Sequence, residues 1–227
     1  MSIFNSLNNI LPFFGAFLGM AMGYKIRNKS LNRLKLILSF SGAFLLGVII
    51  FHLMPEVFSK VNNKSGLWIV SGIILQILLE YLSQGTEHGH SHIKSNEYLP
   101  WVLFLSLCLH AFIEGFPLRY ESSLVWGIFI HKIPIGMVLF YMIWDTKSSK
   151  KIKITALFIF AIMSPLGSIT LEYNDTLRNY QTQITAIVIG MLLHIATTIL
   201  FESNQGHAFN IRKLLSILLA FLISYFI

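Results

Sequence analysis

The chain has 227 residues, of which 55% are hydrophobic and 12% are charged, and its mean hydropathy is +0.67. Soluble domains carry about twice this share of charged residues, so the composition excludes an ordinary soluble domain. The net charge of +7 does not indicate nucleic-acid binding, because loop lysines and arginines that face the cytoplasm and anionic lipid headgroups account for it.

Apolar runs of about 20 residues recur along the whole chain, as in proteins with several membrane-spanning helices. They predict an all-α polytopic membrane protein, a single transmembrane domain over residues 1–227. The eight predicted helices cover about residues 10–24, 36–58, 66–82, 99–118, 124–144, 154–171, 184–201 and 214–226. In the first helix, Gly15, Gly19 and Gly23 lie four residues apart, a spacing that lets another helix approach closely.

Three prolines bear on the shapes of the predicted helices. Pro55 is expected to kink or end the second helix. Pro117 and Pro134 lie in or near the fourth and fifth helices, where they predict either unwound turns that line a cavity or plain kinks.

The distribution of basic residues predicts the orientation. The loops between helices 1–2, 3–4, 5–6 and 7–8 hold twelve lysines and arginines, and the opposite loops hold four. The positive-inside rule then places both termini on the extracytoplasmic side. A weak similarity in sequence pattern between the first three and the last three helices predicts a 3+2+3 inverted repeat around a central pair.

Two further features bear on the compartment. The single cysteine, Cys108, allows no intramolecular disulfide, and residues 1–9 lack the basic region of a cleavable signal peptide. The short loops favour a bacterial inner membrane.

The central pair of helices carries ionisable residues inside apolar runs. His110 and Glu114 lie four residues apart and therefore share one helix face, and His131 and Lys132 follow in the next helix. Each such group costs about 3 kcal/mol or more in hydrocarbon, and it usually faces a cavity or a partner. Since an imidazole and a carboxylate can share one divalent cation, we expect a transition-metal ion to pass between these helices.

The second and third helices end near further candidate ligands. His52 and Glu56 lie four residues apart near the membrane surface, and they predict either an entrance site for cations or an interfacial histidine beside a solvated glutamate. After the third helix, His88, His90 and His92 alternate with other residues, which is typical of a weak metal-capture tract or of a polar linker. The predicted topology places this tract in the cytoplasm, which suits an importer.

The seventh helix holds His194, which is either a hydrogen-bonded packing residue or a ligand. Glu202 and His207, at and beyond its end, are weaker candidate metal ligands.

Together these motifs resemble the ZIP (Zrt-, Irt-like protein) family of divalent-metal transporters over essentially the whole chain. Three motifs carry the resemblance: His110-Ala111-Phe112-Ile113-Glu114-Gly115, His131-Lys132-Ile133-Pro134 and His52-Leu53-Met54-Pro55-Glu56. The resemblance implies a metal path between helices 4 and 5, import into the cytoplasm by alternating access, and homodimers.

This chain departs from the family pattern at three positions. Ile135 stands where the family usually has a glutamate, Ala111 stands where it often has asparagine or serine, and Lys132 stands where many members have a second carboxylate. The Lys132 ammonium can then occupy the place of a second cation. His110, Glu114 and His131 are left for one metal ion, with a position open for water.

These ligands suit Zn²⁺, with Fe²⁺, Mn²⁺ and Cd²⁺ as further candidate substrates. Two alternatives stay open. One is a non-transporting metal-binding or sensor protein, which Ile135 makes conceivable. The other is an intramembrane zinc-dependent hydrolase, for which the sequence offers no clear general base; we expect no enzyme activity.

Overall fold

The computed structural model describes residues 2–26, 31–60, 65–83, 98–202 and 211–227, and over these residues all regular structure is helical. The all-α prediction is thereby confirmed. The helices are α1 (Ser2–Ile26), α2 (Leu31–Val48), α3 (Met54–Lys60), α4 (Ser65–Ser83), α5 (Trp101–Glu114), α6 (Ser122–Trp144), α7 (Lys150–Tyr173), α8 (Asp175–Arg178), α9 (Gln181–Glu202) and α10 (Ile211–Tyr225).

Six helical segments in the described part of the chain are long and apolar enough to cross a membrane. They are Leu34–Lys60, Ser65–Ser83, Trp101–Arg119, Ser122–Trp144, Lys150–Tyr173 and Gln181–Phe201. Large apolar side chains such as Phe17, Leu67 and Leu105 are exposed on the outside of the bundle, as lipid-facing residues are.

The helices α1 and α10 lie where the first and eighth spans are predicted, but they are not among these six segments. The 15 residues of α10 fall short of the roughly 20 residues that cross the hydrocarbon layer. The eight-span 3+2+3 arrangement, the position of the termini and the single-domain assignment therefore stay predictions.

Glycines set the distance between α1 and α6. A Cβ atom on Gly15 would lie 2.5 Å from the backbone oxygen of Phe129, and one on Gly19 would lie 2.0 Å from that of Ile133. Only a residue without a side chain fits at such distances, so the two backbones touch directly. The spacing of four residues puts these glycines on one face of α1, as the sequence predicts.

Two more helix pairs meet in the same way. In the α4–α9 pair, a Cβ atom on Gly72 would lie 2.0 Å from the backbone oxygen of Ile187. In the α5–α7 pair, a Cβ atom on Gly115 would lie 2.1 Å from the backbone oxygen of Ser164. The α5–α7 contact occurs next to Glu114, so it brings α7 side chains within reach of that carboxylate.

Pro55 neither ends the second span nor stands at a simple kink. A π-helical turn, Ile49–Leu53, joins α2 to α3, and the N–H of Met54 bonds the carbonyl of Ile49. Because a proline has no N–H for the carbonyl four residues earlier, the helix widens just before it and then continues to Lys60.

Pro134 lies inside α6, which runs from Ser122 to Trp144 without an unwound turn. The proline leaves the carbonyl of Ile130 without its usual helical donor. The hydroxyl of Ser41, on α2, donates to that carbonyl across 3.4 Å. A neighbouring helix thus satisfies the backbone group that the proline frees.

The substitution Gly19→Ala is expected to destabilise the fold, because its Cβ would clash with the backbone of Ile133. Overpacking of this kind costs about 1–3 kcal/mol. Thermal unfolding of the detergent-purified protein, followed by size-exclusion chromatography, measures the effect. Gly66→Ala is the matched control, since a Cβ there meets nothing within 4 Å. An equal loss of stability in both variants would contradict the proposed role of the α1–α6 contact.

Candidate metal centre

Three candidate ligands come together at the centre of the bundle. His110 and Glu114 on α5 and His131 on α6 each offer one ligand atom, and these atoms lie within 4.8 Å of one another. All three side chains are buried, with exposures of 1% or less. Over the residues that the structure describes, this is the one group of three or more such side chains with metal-site spacing.

A hydrogen bond to α4 fixes the tautomer of His110. Its Nδ1 lies 2.9 Å from the side-chain oxygen Oε1 of Gln76. An amide oxygen only accepts, so Nδ1 donates and carries the proton. Nε2 lies 3.2 Å from Glu114 Oε2 and donates to it when the ring is protonated, whereas in the neutral ring its lone pair can bind a cation. A carbonyl behind the imidazole is the usual support of a metal-binding histidine.

Lys132 and Ser164 bind the other oxygen of Glu114. Lys132 Nζ lies 2.6 Å from Oε1, and the Ser164 hydroxyl donates to the same atom across 3.0 Å. The ammonium also lies 4.3 Å from the centre of the Phe160 ring, within cation–π range. One oxygen of Glu114 therefore faces an internal cation, while the other faces His110.

The ring of His131 stands nearly perpendicular to that of His110, with centroids 6.5 Å apart. Two of the positions at which this chain differs from the ZIP family pattern, Ile135 and Ala111, lie in apolar surroundings. Ile135 is 3% exposed and Ala111 is fully buried, and both belong to a hydrophobic cluster that also contains Leu107. The two positions supply packing and no ligand, so the described donor set is His110, Glu114 and His131.

The predicted entrance residues have different partners. His52 Nε2 lies 2.7 Å from the backbone oxygen of Ser224, on α10. Glu56 pairs with Lys60 and shares a hydrogen bond with Glu121, which precedes α6. Sequence reasoning missed Glu121 as a partner. The entrance site itself stays a prediction.

Several other candidates lie outside the described residues. They are His88, His90, His92 and His207, together with the side chain of Glu202. His194 is described, and its Nε2 lies 2.5 Å from Glu80 Oε2 on α4.

The sequence reasoning also missed Gln76 and Glu80. Both are polar residues in the otherwise apolar run of α4, and they lie four residues apart on one face. That pattern, the same one that singled out His110 and Glu114, could have identified them.

The pKa of Glu121 is raised from its usual 4.5 to about 8, mainly because the side chain is buried. The hydrogen bond to Glu56 and the charge of Glu56 raise the pKa further. The folded protein therefore keeps a proton on Glu121 that the unfolded chain releases, so stability falls as the pH rises through this range. We expect the melting temperature of the purified protein to drop from about pH 4.5 to about pH 8. Glu121→Gln mimics the protonated form and should flatten this drop. The same slope in both proteins would show that Glu121 does not cause it.

Comparison with known proteins agrees with these observations. The chain matches the family model described as ZIP Zinc transporter over residues 80–227, which is more than half of its length. It is also 31% identical over 105 residues to Protein zntD of Dictyostelium discoideum, a match that covers 38% of this chain and 15% of that protein. The six apolar helices agree with an integral multi-pass membrane protein. The chain belongs to the ZIP zinc transporter family.

Proposed function

We propose that this protein moves a divalent transition-metal ion across the membrane into the cytoplasm, through a site formed by His110, Glu114 and His131. One observation carries the proposal. His110, Glu114 and His131 each offer one ligand atom, these atoms lie within 4.8 Å of one another, and all three side chains are buried. A buried set of two imidazoles and one carboxylate suits a divalent transition-metal ion.

The donor set favours a zinc-like ion. Two imidazole nitrogens and one carboxylate oxygen leave a position for water in a tetrahedral shell. Such a set suits Zn²⁺, Fe²⁺, Mn²⁺ or Cd²⁺ better than Mg²⁺ or Ca²⁺, which prefer oxygen ligands alone. Family membership supports metal-ion transport, and the choice among these ions belongs to the proposal.

Lys132 acts as a built-in competitor of the substrate. Its ammonium lies 2.6 Å from Glu114 Oε1 and already neutralises the carboxylate. A metal ion at Oε2 therefore binds beside a positive charge, which weakens the site and favours release. This supports the view that Lys132 replaces the second metal ion of other family members.

The packing of the helices supports the 3+2+3 inverted repeat. Such a repeat exchanges α1 with α7, α2 with α9, α4 with α10, and α5 with α6. The contact between α1 and α6 then corresponds to a contact between α7 and α5. The contact between α2 and α10 corresponds to one between α9 and α4. All four pairs are in contact. An inverted repeat around a central site is the architecture of alternating-access transporters.

The second candidate function is a metal sensor that does not transport. The contact between Lys132 and Glu114 and the full burial of the site favour it, since both hold the centre closed. A hydrolase has less support, because the family is one of transporters. The bacterial inner membrane, the homodimer and the cytoplasmic position of the histidine tract stay predictions.

Removing a ligand should abolish transport. We expect His110→Ala and Glu114→Gln to reduce Zn²⁺ uptake into proteoliposomes to the level of empty vesicles, because each removes one of three metal ligands. The melting temperature and the reconstituted amount of each variant serve as controls. Near-normal uptake by both variants would refute the proposed site, and wild-type binding without flux would favour the sensor.

Removing the internal cation should tighten metal binding. In Lys132→Met, Glu114 loses its buried partner, and an unpaired buried charge of this kind costs about 3–5 kcal/mol. The metal-free variant should therefore melt below the wild type, and saturating Zn²⁺ should raise its melting temperature more than that of the wild type. An equal Zn²⁺-dependent shift in both proteins would mean that Lys132 does not compete with the metal.

A further inference from the structure

A second ionisable pair lies within the spanning helices, apart from the proposed transport site. His194 Nε2 on α9 and Glu80 Oε2 on α4 are 2.5 Å apart. The two side chains are 21% and 24% exposed, so neither is fully enclosed by the protein. Ionisable groups inside spanning helices usually mark an ion pathway.

The helix α4 connects this pair to the transport site. Gln76, which accepts from His110, is fully buried. Glu80 lies one helical turn farther toward the end of α4, about 6 Å along the axis. Beyond Ser83 the chain enters the loop that the distribution of basic residues assigns to the cytoplasm. The pair therefore lies on the predicted cytoplasmic side of the transport site.

The contact between α4 and α9 does not depend on this ion pair. A Cβ atom on Gly72 would lie 2.0 Å from the backbone oxygen of Ile187, and one on Gly190 would lie 1.9 Å from that of Ile69. Direct backbone packing of this kind joins the two helices. The pair is therefore not the only contact that joins these two helices, and histidine and carboxylate side chains are both ligands of divalent transition metals.

We propose that Glu80 and His194 form a second, weaker metal site, which receives the divalent ion when it leaves the transport site. The proposal rests on the proposed function of this protein. Two protein ligands, with water at the remaining positions, hold a metal ion less tightly than three. A site on an exit route must be weak enough to let the ion leave, and this ligand set meets that requirement.

The test measures Zn²⁺ binding to the detergent-purified full chain by equilibrium dialysis, together with proteoliposome uptake. All proteins carry His88→Ala, His90→Ala and His92→Ala, so that the histidine tract adds no weak binding, and this background should bind one ion tightly and one weakly. In Glu80→Gln and His194→Asn the dissociation constant of the weak phase should rise by about tenfold or more. Uptake should fall, while the dissociation constant of the tight phase stays the same. Glu80→Gln still accepts a hydrogen bond from His194, so its melting temperature should stay close to that of the wild type.

The control is Glu172→Gln, which removes a comparable ion pair, with Arg119, outside the proposed route. It should keep both binding phases and uptake. A single binding phase in the background without the histidine tract, or a weak phase and an uptake rate that survive there in both Glu80→Gln and His194→Asn, would overturn the proposal. His110→Ala separates the two proposals, since it should remove only the tight phase. A tight phase that persists there would refute the transport site and leave the result for Glu80 and His194 standing.

Discussion

The charge of Glu114 is the constraint that the surrounding structure depends on. A carboxylate with 0% exposure in a membrane-spanning bundle costs several kcal/mol unless cations and donors surround it. Lys132 and Ser164 bind one of its oxygens, and His110 faces the other. These groups come from α5, α6 and α7, so the three helices must hold their relative distances closely. The glycine contact between α5 and α7, beside Glu114, fixes one of those distances.

Sequence periodicity was a good guide to the helices, because each apolar run of sufficient length can satisfy its own backbone only as a helix in lipid. It was a poorer guide to what prolines do within them. The effect of Pro134 depends on Ser41, a residue 89 positions away from the carbonyl that it bonds. Pro55 is accommodated by a π-helical turn, and nothing in the local pattern distinguishes that outcome from a kink.

The site was predictable to the extent that its geometry is local. His110 and Glu114 lie on one helix face whatever the tertiary structure is, and the short link between α5 and α6 brings His131 into the same region. Gln76 and Ser164 are separated from their partners by 34 and 50 residues, and their contacts depend on how each helix is rotated. Glu121 looks like an ordinary surface carboxylate in the sequence. Its burial beside Glu56 follows from the contact between the first turn of α3 and the residue that precedes α6.

The two hydrophobic clusters divide the bundle in a way that bears on how it can move. One cluster joins α1, α5 and α7 to the second half of α6, and the other joins α2, α4 and α9 to the first half of α6. His110 and Glu114 belong to the first group of helices, whereas Gln76 belongs to the second. If the groups slide past each other, the two α5 ligands travel as a unit and the bond between Gln76 and His110 breaks. The proton on the His110 ring is then no longer held at Nδ1, so in the proposed transport cycle such a motion would also weaken metal binding by His110.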